Sequence, residues 1–167
     1  MSITKENCVY FDINTTGSDR YVITQIGAVH AGSTHCFNEK PNLESYQIAT
    51  VLKNFFEWLK TLNNRNPVVL IAHYGKRFDK QVLETVAQDE KDFSNWNLLL
   101  RNPKNSILNK VAAGYCDSLV AFRNNFPKVK KHSMETLAEH FGIPRRSHYA
   151  LEDPQLLKDL TLLENKK

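Results

Sequence analysis

No long hydrophobic run occurs in this sequence. Its longest uninterrupted apolar stretch, Val68 to Ala72, falls far short of the roughly 20 residues that a membrane-crossing helix needs. The first residues, Met1 to Asn7, are polar and charged and contain no apolar signal region. Cysteine is also scarce. Cys8, Cys36 and Cys116 are odd in number and widely spaced, and no CxxC pair occurs, which argues against a zinc site or a disulfide framework. An intracellular protein with reduced thiols is the expectation. Glycine and proline, six of each, are too few for a low-complexity or disordered chain. Neither a GxGxxG fingerprint nor a P-loop is present, which weighs against an unrelated nucleotide-binding α/β protein. Charge of either sign is in little excess. The balance of 22 basic and 18 acidic residues, net +4, permits a polyanionic partner without demanding one.

What is present is ordinary globular material. The chain has 167 residues, 41% of them hydrophobic, enough for one domain spanning 1–167 with a core that needs no staples. Cys8–Ile13 is an apolar run that reads as a buried strand, ended by the turn-forming residues Asn14, Thr15, Thr16 and Gly17. Val22–His30 and Thr34–Phe37 read as the next two strands, with Gly32 in the turn between them. Ile48, Val51, Leu52, Phe55, Phe56, Leu59 and Leu62 then recur at helical spacing on one face.

Pro67–His73 reads as a further strand, and Phe78, Val82, Leu83 and Val86 as a second helix. Residues 91–110 are interrupted by Asn and Pro and read as a loop with a short helix. Ala112–Cys116 is the expected last strand, followed by helices over Asp117–Phe126 and Ser133–Phe141, the latter with Ser133 as N-cap and Gly142 as its stop. Pro154 is tolerated only near a helix start, so the final helix should begin near Leu151–Asp153. The order of elements implies an α/β domain with helices against a mixed sheet.

Three segments carry chemistry. Asp12 stands at the end of a predicted strand, where open α/β sheets bind ligands. Asp79 closes the stretch from Ala72 to Asp79 near a helix start, where a carboxylate is favoured by the backbone dipole. His148 and Asp153 flank the start of the final helix. Taken singly, each is an unremarkable turn or cap residue. Together, Asp12, Asp79 and Asp153 offer hard oxygen ligands suited to Mg²⁺ or Mn²⁺. Two such ions roughly 3.5–4 Å apart clamp the attacking and leaving oxygens of a phosphodiester displacement. His148 beside them could take a proton from the attacking water, because imidazole titrates near operating pH.

In this order and spacing the segments resemble the DnaQ-like 3′→5′ exonucleases of DEDDh type. The first family motif, Asp-x-Glu followed by Thr-Thr-Gly, reads here Asp12-Ile13-Asn14-Thr15-Thr16-Gly17. The second resembles His73 to Asp79. The third, His-x-Ala-x-x-Asp, matches His148, Ala150 and Asp153. Asp117-Ser118-Leu119 and Ser133 through Leu137 also look like the family, so the resemblance spans about residues 8 to 165.

The resemblance implies a ribonuclease-H-like fold, a mixed five-stranded sheet flanked by helices. It implies two metal ions held by Asp12, Asn14, Asp79 and Asp153, with Asp12 bridging both and His148 as general base. Thr15, Thr16 and Gly17 would line the pocket of the 3′-terminal nucleotide of a single-stranded DNA or RNA. Two positions depart from the pattern. Asn14 stands where the family has Glu, and its amide oxygen can ligate a metal but carries no charge. Tyr74 stands where many members have Asn, at a substrate contact. Basic residues cluster at Lys128–His132 and at Arg145 and Arg146, and beside such a site they would bind phosphates. His30, His35 and His140 show no ligand spacing. The retained Asp12, Asp79, His148 and Asp153 favour an active exonuclease. Asn14 and Tyr74 favour a non-catalytic module on the same fold that binds nucleic acid or protein.

Overall fold

A computed structural model describes residues 5–16, 22–41, 48–62, 68–75, 79–83, 112–144 and 151–164. After a single 3-10 turn at Lys5–Asn7, the strands are β1 (Cys8–Thr16), β2 (Val22–His30), β3 (Cys36–Glu39), β4 (Val68–Ala72) and β5 (Ala112–Asp117). The helices are α1 (Ile48–Leu62), between β3 and β4, and then α2 (Ser118–Asn125), α3 (Met134–Phe141) and α4 (Glu152–Glu164). Residues 79–83 are also helical. The strands form one mixed five-stranded sheet in the order β3-β2-β1-β4-β5. β1 runs antiparallel to β2 and parallel to β4, and β4 runs parallel to β5. This is the expected mixed five-stranded sheet with flanking helices. No helix among the described residues is long and apolar enough to cross a membrane.

Strand alternation divides the core in two. Val9, Phe11 and Ile13 of β1 join Val68, Leu70 and Ala72 of β4 in a cluster closed by Leu52, Phe55, Phe56 and Leu59 of α1. Cys8 and Tyr10 of β1 join Val69 and Ile71 of β4 in a second cluster, closed by Phe122 of α2, Leu137 of α3 and Leu156, Leu157 and Leu160 of α4. A strand buried on both faces needs an unbroken apolar run, and β4 (Val-Val-Leu-Ile-Ala) supplies one. α3 carries both of its expected caps. The Ser133 side chain accepts from the Thr136 N–H, and Gly142 ends the helix in the left-handed conformation, φ 68°. Pro154 sits in the first turn of α4, where a missing N–H costs nothing.

Two strands differ from the sequence reading by more than one residue at a boundary. Asn14, Thr15 and Thr16 do not turn: β1 continues through them, pairing Asn14 with Gln25, Thr15 with Ile23 and Thr16 with Val22. A register shift between Asn14 and Thr15 absorbs the irregularity, and the β-branched threonines suit the extended backbone. Gly17 lies outside the described residues. The third strand is Cys36–Glu39 and not Thr34–Phe37. Residues 31–35 are taken up by a bend in which the His30 N–H donates to the His35 carbonyl at 3.0 Å and the Ser33 hydroxyl bonds both histidine rings. Of the helix expected from Phe78 to Val86, only 79–83 is described, and the segment 91–110 lies outside the described residues.

Candidate active site

Parallel pairing brings three strand ends to one edge of the sheet. Tyr10 of β1 lies beside Ile71 of β4, which lies beside Cys116 of β5. Two residues further along each strand, Asp12, the turn at His73–Gly75 and the start of α2 therefore fall level with one another. Side-chain alternation turns Asp12 toward the α2–α4 side, the same side as Tyr10.

Asp79 reaches this edge from the helical segment 79–83. It is 2% exposed, and its Oδ1 accepts a hydrogen bond from the Ile13 N–H at 3.0 Å, across 66 residues of sequence. That bond ties the second motif to the first. Asp153 enters from the first turn of α4, and α4 packs across β1 and β2.

The carboxylates act on one another. Burial pushes the half-buried Asp12 carboxyl up to about 8, with the charges of Asp79 and Asp153 adding to the rise. Burial also lifts Asp79 to about 7. The N–H groups of Ile13 and of Asp79 itself oppose the rise, and the charge of Asp117 adds to it. Crowded buried carboxylates of this kind are stabilised either by protons or by a cation. The donor set is all oxygen and anionic, which fits a hard divalent ion. In this conformation it is not a closed cage: among the described residues no three His, Cys, Asp or Glu side chains are grouped tightly enough to hold a metal.

Of the other residues singled out from sequence, Asn14 and Thr15 are half-buried and Thr16 is exposed, all at the far end of β1. Tyr74 is 45% exposed. Gly17, Arg145, Arg146 and His148 lie outside the described residues.

A polar network that sequence spacing does not reveal joins the ends of β4 and β5. The His73 Nε2–H donates to the His132 carbonyl at 2.6 Å, which leaves Nδ1 of the neutral ring to accept from the Ser118 hydroxyl at 2.9 Å. Burial holds the His73 ring below the ordinary histidine value, outweighing the bond to His132 and the charges of Asp117 and Glu135. Next to Ser118, the Asp117 Oδ1 accepts both the Tyr74 N–H and the Leu119 N–H, each at 3.1 Å, so one carboxylate caps α2 and fixes the turn after β4. Gly75 completes that turn. A Cβ there would lie 2.5 Å from the Cβ of Ala72, so only glycine fits. One signal in the sequence could have found this network, the cap-forming Asp117 directly before Ser118 at the end of a strand.

Neither a family model nor a curated protein matches this sequence. Solved structures do. The chain is similar to one described as the structure of the yeast NOT1 MIF4G domain co-crystallized with CAF1, with a TM-score of 0.59 and 14% identity over 96% of this chain and 80% of that one. It is also similar to the RNase domain of the yeast Pop2 protein, with a TM-score of 0.55 and 14% identity over 96% of this chain and 76% of that one. At this identity the likeness establishes the fold alone: a mixed five-stranded α/β sheet with flanking helices, as in the Pop2 RNase domain.

Proposed function

We propose that this chain is a DnaQ-like, DEDDh-type 3′→5′ exonuclease domain. It would release nucleotides from single-stranded DNA or RNA 3′ ends, with activity weakened by Asn14. One observation carries the reading. At the edge where the parallel strands β1, β4 and β5 end, the buried Asp79 is hydrogen-bonded to the Ile13 N–H next to Asp12, and Asp153 enters from the first turn of α4, in a fold like that of the Pop2 RNase domain.

Asp12, Asn14, Asp79 and Asp153 would hold two Mg²⁺ or Mn²⁺ ions. Bound there, the ions would acidify the attacking water and offset charge on the phosphodiester. The protein's own part is orientation and proton transfer. The Ile13 N–H holds one oxygen of Asp79 and so fixes how that carboxylate faces Asp12. His148 accepts the proton of the attacking water. Thr15, Thr16 and Gly17 seat the terminal nucleotide at the end of β1, and Tyr74, Arg145 and Arg146 contact the strand that follows it. Asn14 brings a dipole where the family brings a charge, so it would hold an ion more weakly and orient the attacking water less well.

The test is incubation of 3′-labelled and 5′-labelled DNA and RNA oligonucleotides with the protein in Mg²⁺ or Mn²⁺. Stepwise shortening of the 5′-labelled strand, with prompt release of the 3′ label, is expected. No release from any substrate in either metal overturns the reading. Asn14 then favours the alternative, a non-catalytic module on the same fold that binds nucleic acid or protein.

A further inference from the structure

Beside the carboxylates lies a cleft of about 550 Å³, lined by Tyr74, Arg123, Lys130, Lys131 and His132, and by Asp153, which it shares with the candidate site. Its volume falls within the roughly 300–1,000 Å³ of small-ligand sites. Its walls carry three permanent cations against the carboxylates of Glu135 and Asp153.

Tyr74 is the unusual member. It is the only non-glycine residue at positive φ among the described residues, φ 67°. A left-handed backbone costs a side-chain-bearing residue roughly 1–2 kcal/mol. The surroundings impose that cost. The Tyr74 N–H is bound by Asp117, His73 before it is bonded at both ring nitrogens, and Gly75 after it is packed against Ala72. The strain does not serve the core, because the ring it aims is 45% exposed. A strained, exposed aromatic held in place from both sides is a feature of ligand contacts.

The segment that bears the lysines is anchored to the same turn. His73 binds the His132 carbonyl and the His132 ring binds the Phe126 carbonyl at 3.0 Å, so the segment that bears Lys130 and Lys131 is fixed to the strand end that bears Tyr74. Ring and cations line one cleft.

We propose that this cleft is a nucleotide subsite for single-stranded nucleic acid, in which Tyr74 stacks on a base while Arg123, Lys130 and Lys131 hold the flanking phosphates. Aromatic stacking with a positive track is how proteins hold single strands without reading sequence, since every base has a π-face. The proposal rests on the exonuclease reading for its orientation, with the strand passing from the carboxylates into the cleft. Its test is independent of hydrolysis.

The test uses the full chain in EDTA at low ionic strength, with oligonucleotides carrying 2-aminopurine at successive positions from the 3′ end. Fluorescence reports stacking, and anisotropy of an end label reports affinity. One position near the 3′ end should be quenched on binding. Tyr74→Phe should keep both signals. Tyr74→Asn should lose the quench and weaken binding by roughly five- to a hundredfold, the range that base–aromatic stacking carries. Asn tolerates the left-handed backbone, so this variant should melt no lower than the parent. Lys130→Ala and Lys131→Ala should each flatten the log Kd against log salt slope by about 0.7.

Unchanged affinity in Tyr74→Asn overturns the subsite, as does equal binding of a duplex of the same sequence. Loss of metal-dependent nucleotide release with Tyr74-dependent binding intact would defeat the exonuclease reading and leave the subsite standing. Release that persists with Tyr74-independent binding would do the reverse.

Discussion

The two faces of β1 make different use of the same backbone. Toward α1 the strand presents Val9, Phe11 and Ile13, none more than 2% exposed, against rings such as Phe55, whose centroid is 6.3 Å from that of Phe11. Toward α2–α4 it presents Cys8, Tyr10 and then Asp12, where apolar packing gives way to carboxylates whose burial is unfavourable when they are charged. The α1 face is apolar along the strand, whereas the opposite face is apolar at Cys8 and Tyr10 and gives some stability up at Asp12. Because side chains alternate with a period of two, adjacent residues can serve opposed ends, and substitutions on the two faces should fail in different assays.

The largest expected effect is on catalysis. His148→Ala should cut turnover by about 10²–10⁴-fold, the usual contribution of a positioned base, with little change in oligonucleotide affinity or melting temperature. Unchanged turnover in a labelled-strand assay removes His148 from the mechanism.

Somewhat smaller is the gain expected from Asn14→Glu, which restores a charge at the end of the same strand face. Turnover should rise by about 10²–10³-fold, by analogy with one preorganised electrostatic group, and metal affinity should rise with it. Titration with Mg²⁺ and Mn²⁺ checks both. A variant that stays inactive in either metal locates the deficit elsewhere and favours the non-catalytic module.

On the α1 face, Phe11→Ala should cost about 3–5 kcal/mol of stability. At this chain length that lowers the melting temperature by about 10 °C, while the folded fraction keeps its turnover. A variant that melts normally but turns over slowly would break the division between faces.

The smallest effect has an unusual sign. Asp12 and Asp79 titrate near 8 and 7 in the fold against an ordinary 3.8. Between pH 4 and 8 the native state therefore holds protons that the unfolded chain has released. Raising pH through that window lowers stability. The metal-free protein should melt higher at pH 5 than at pH 8, and added Mg²⁺ should close the gap from the alkaline side. Asp12→Asn should raise the metal-free melting temperature at pH 8 by about 3 °C, equivalent to about 1 kcal/mol. A melting profile flat between pH 5 and 8 would count against the crowded carboxylates.

The sequence was most legible where one physical rule governed. Val22–His30 and the helix over Ile48–Leu62 fall where their apolar residues place them, because a continuous β pattern and a helical stripe have no competing explanation. The end of β1 read as a turn because Asn-Thr-Thr-Gly is turn-like in isolation. Its strand conformation comes from pairing with β2, a long-range contact. The same limit applies at the site. Asp12, Asp79 and Asp153 stood out as motif residues, but the network of His73, Ser118 and His132 joins positions 45 and 59 apart through hydrogen bonds that no spacing encodes. Tyr74 stood out as a departure from a pattern. Its strained backbone, which gives that departure a physical meaning, became visible only in three dimensions.

The register shift between Asn14 and Thr15 works like a vernier on β1. Upstream of it, the hydrogen-bond ladder from Val9 to Asn14 locks Asp12 into the sheet. Downstream, Thr15 and Thr16 pair one step out of phase. The strand tip can therefore be re-aimed by a one-residue change without disturbing the position of Asp12. Thr24 of β2 is the residue the shift skips, so deleting it would bring Thr15 and Thr16 into the earlier phase while the ladder from Val9 to Asn14 stays engaged. The fold thus holds its anchor residue and its strand tip on separate adjustments.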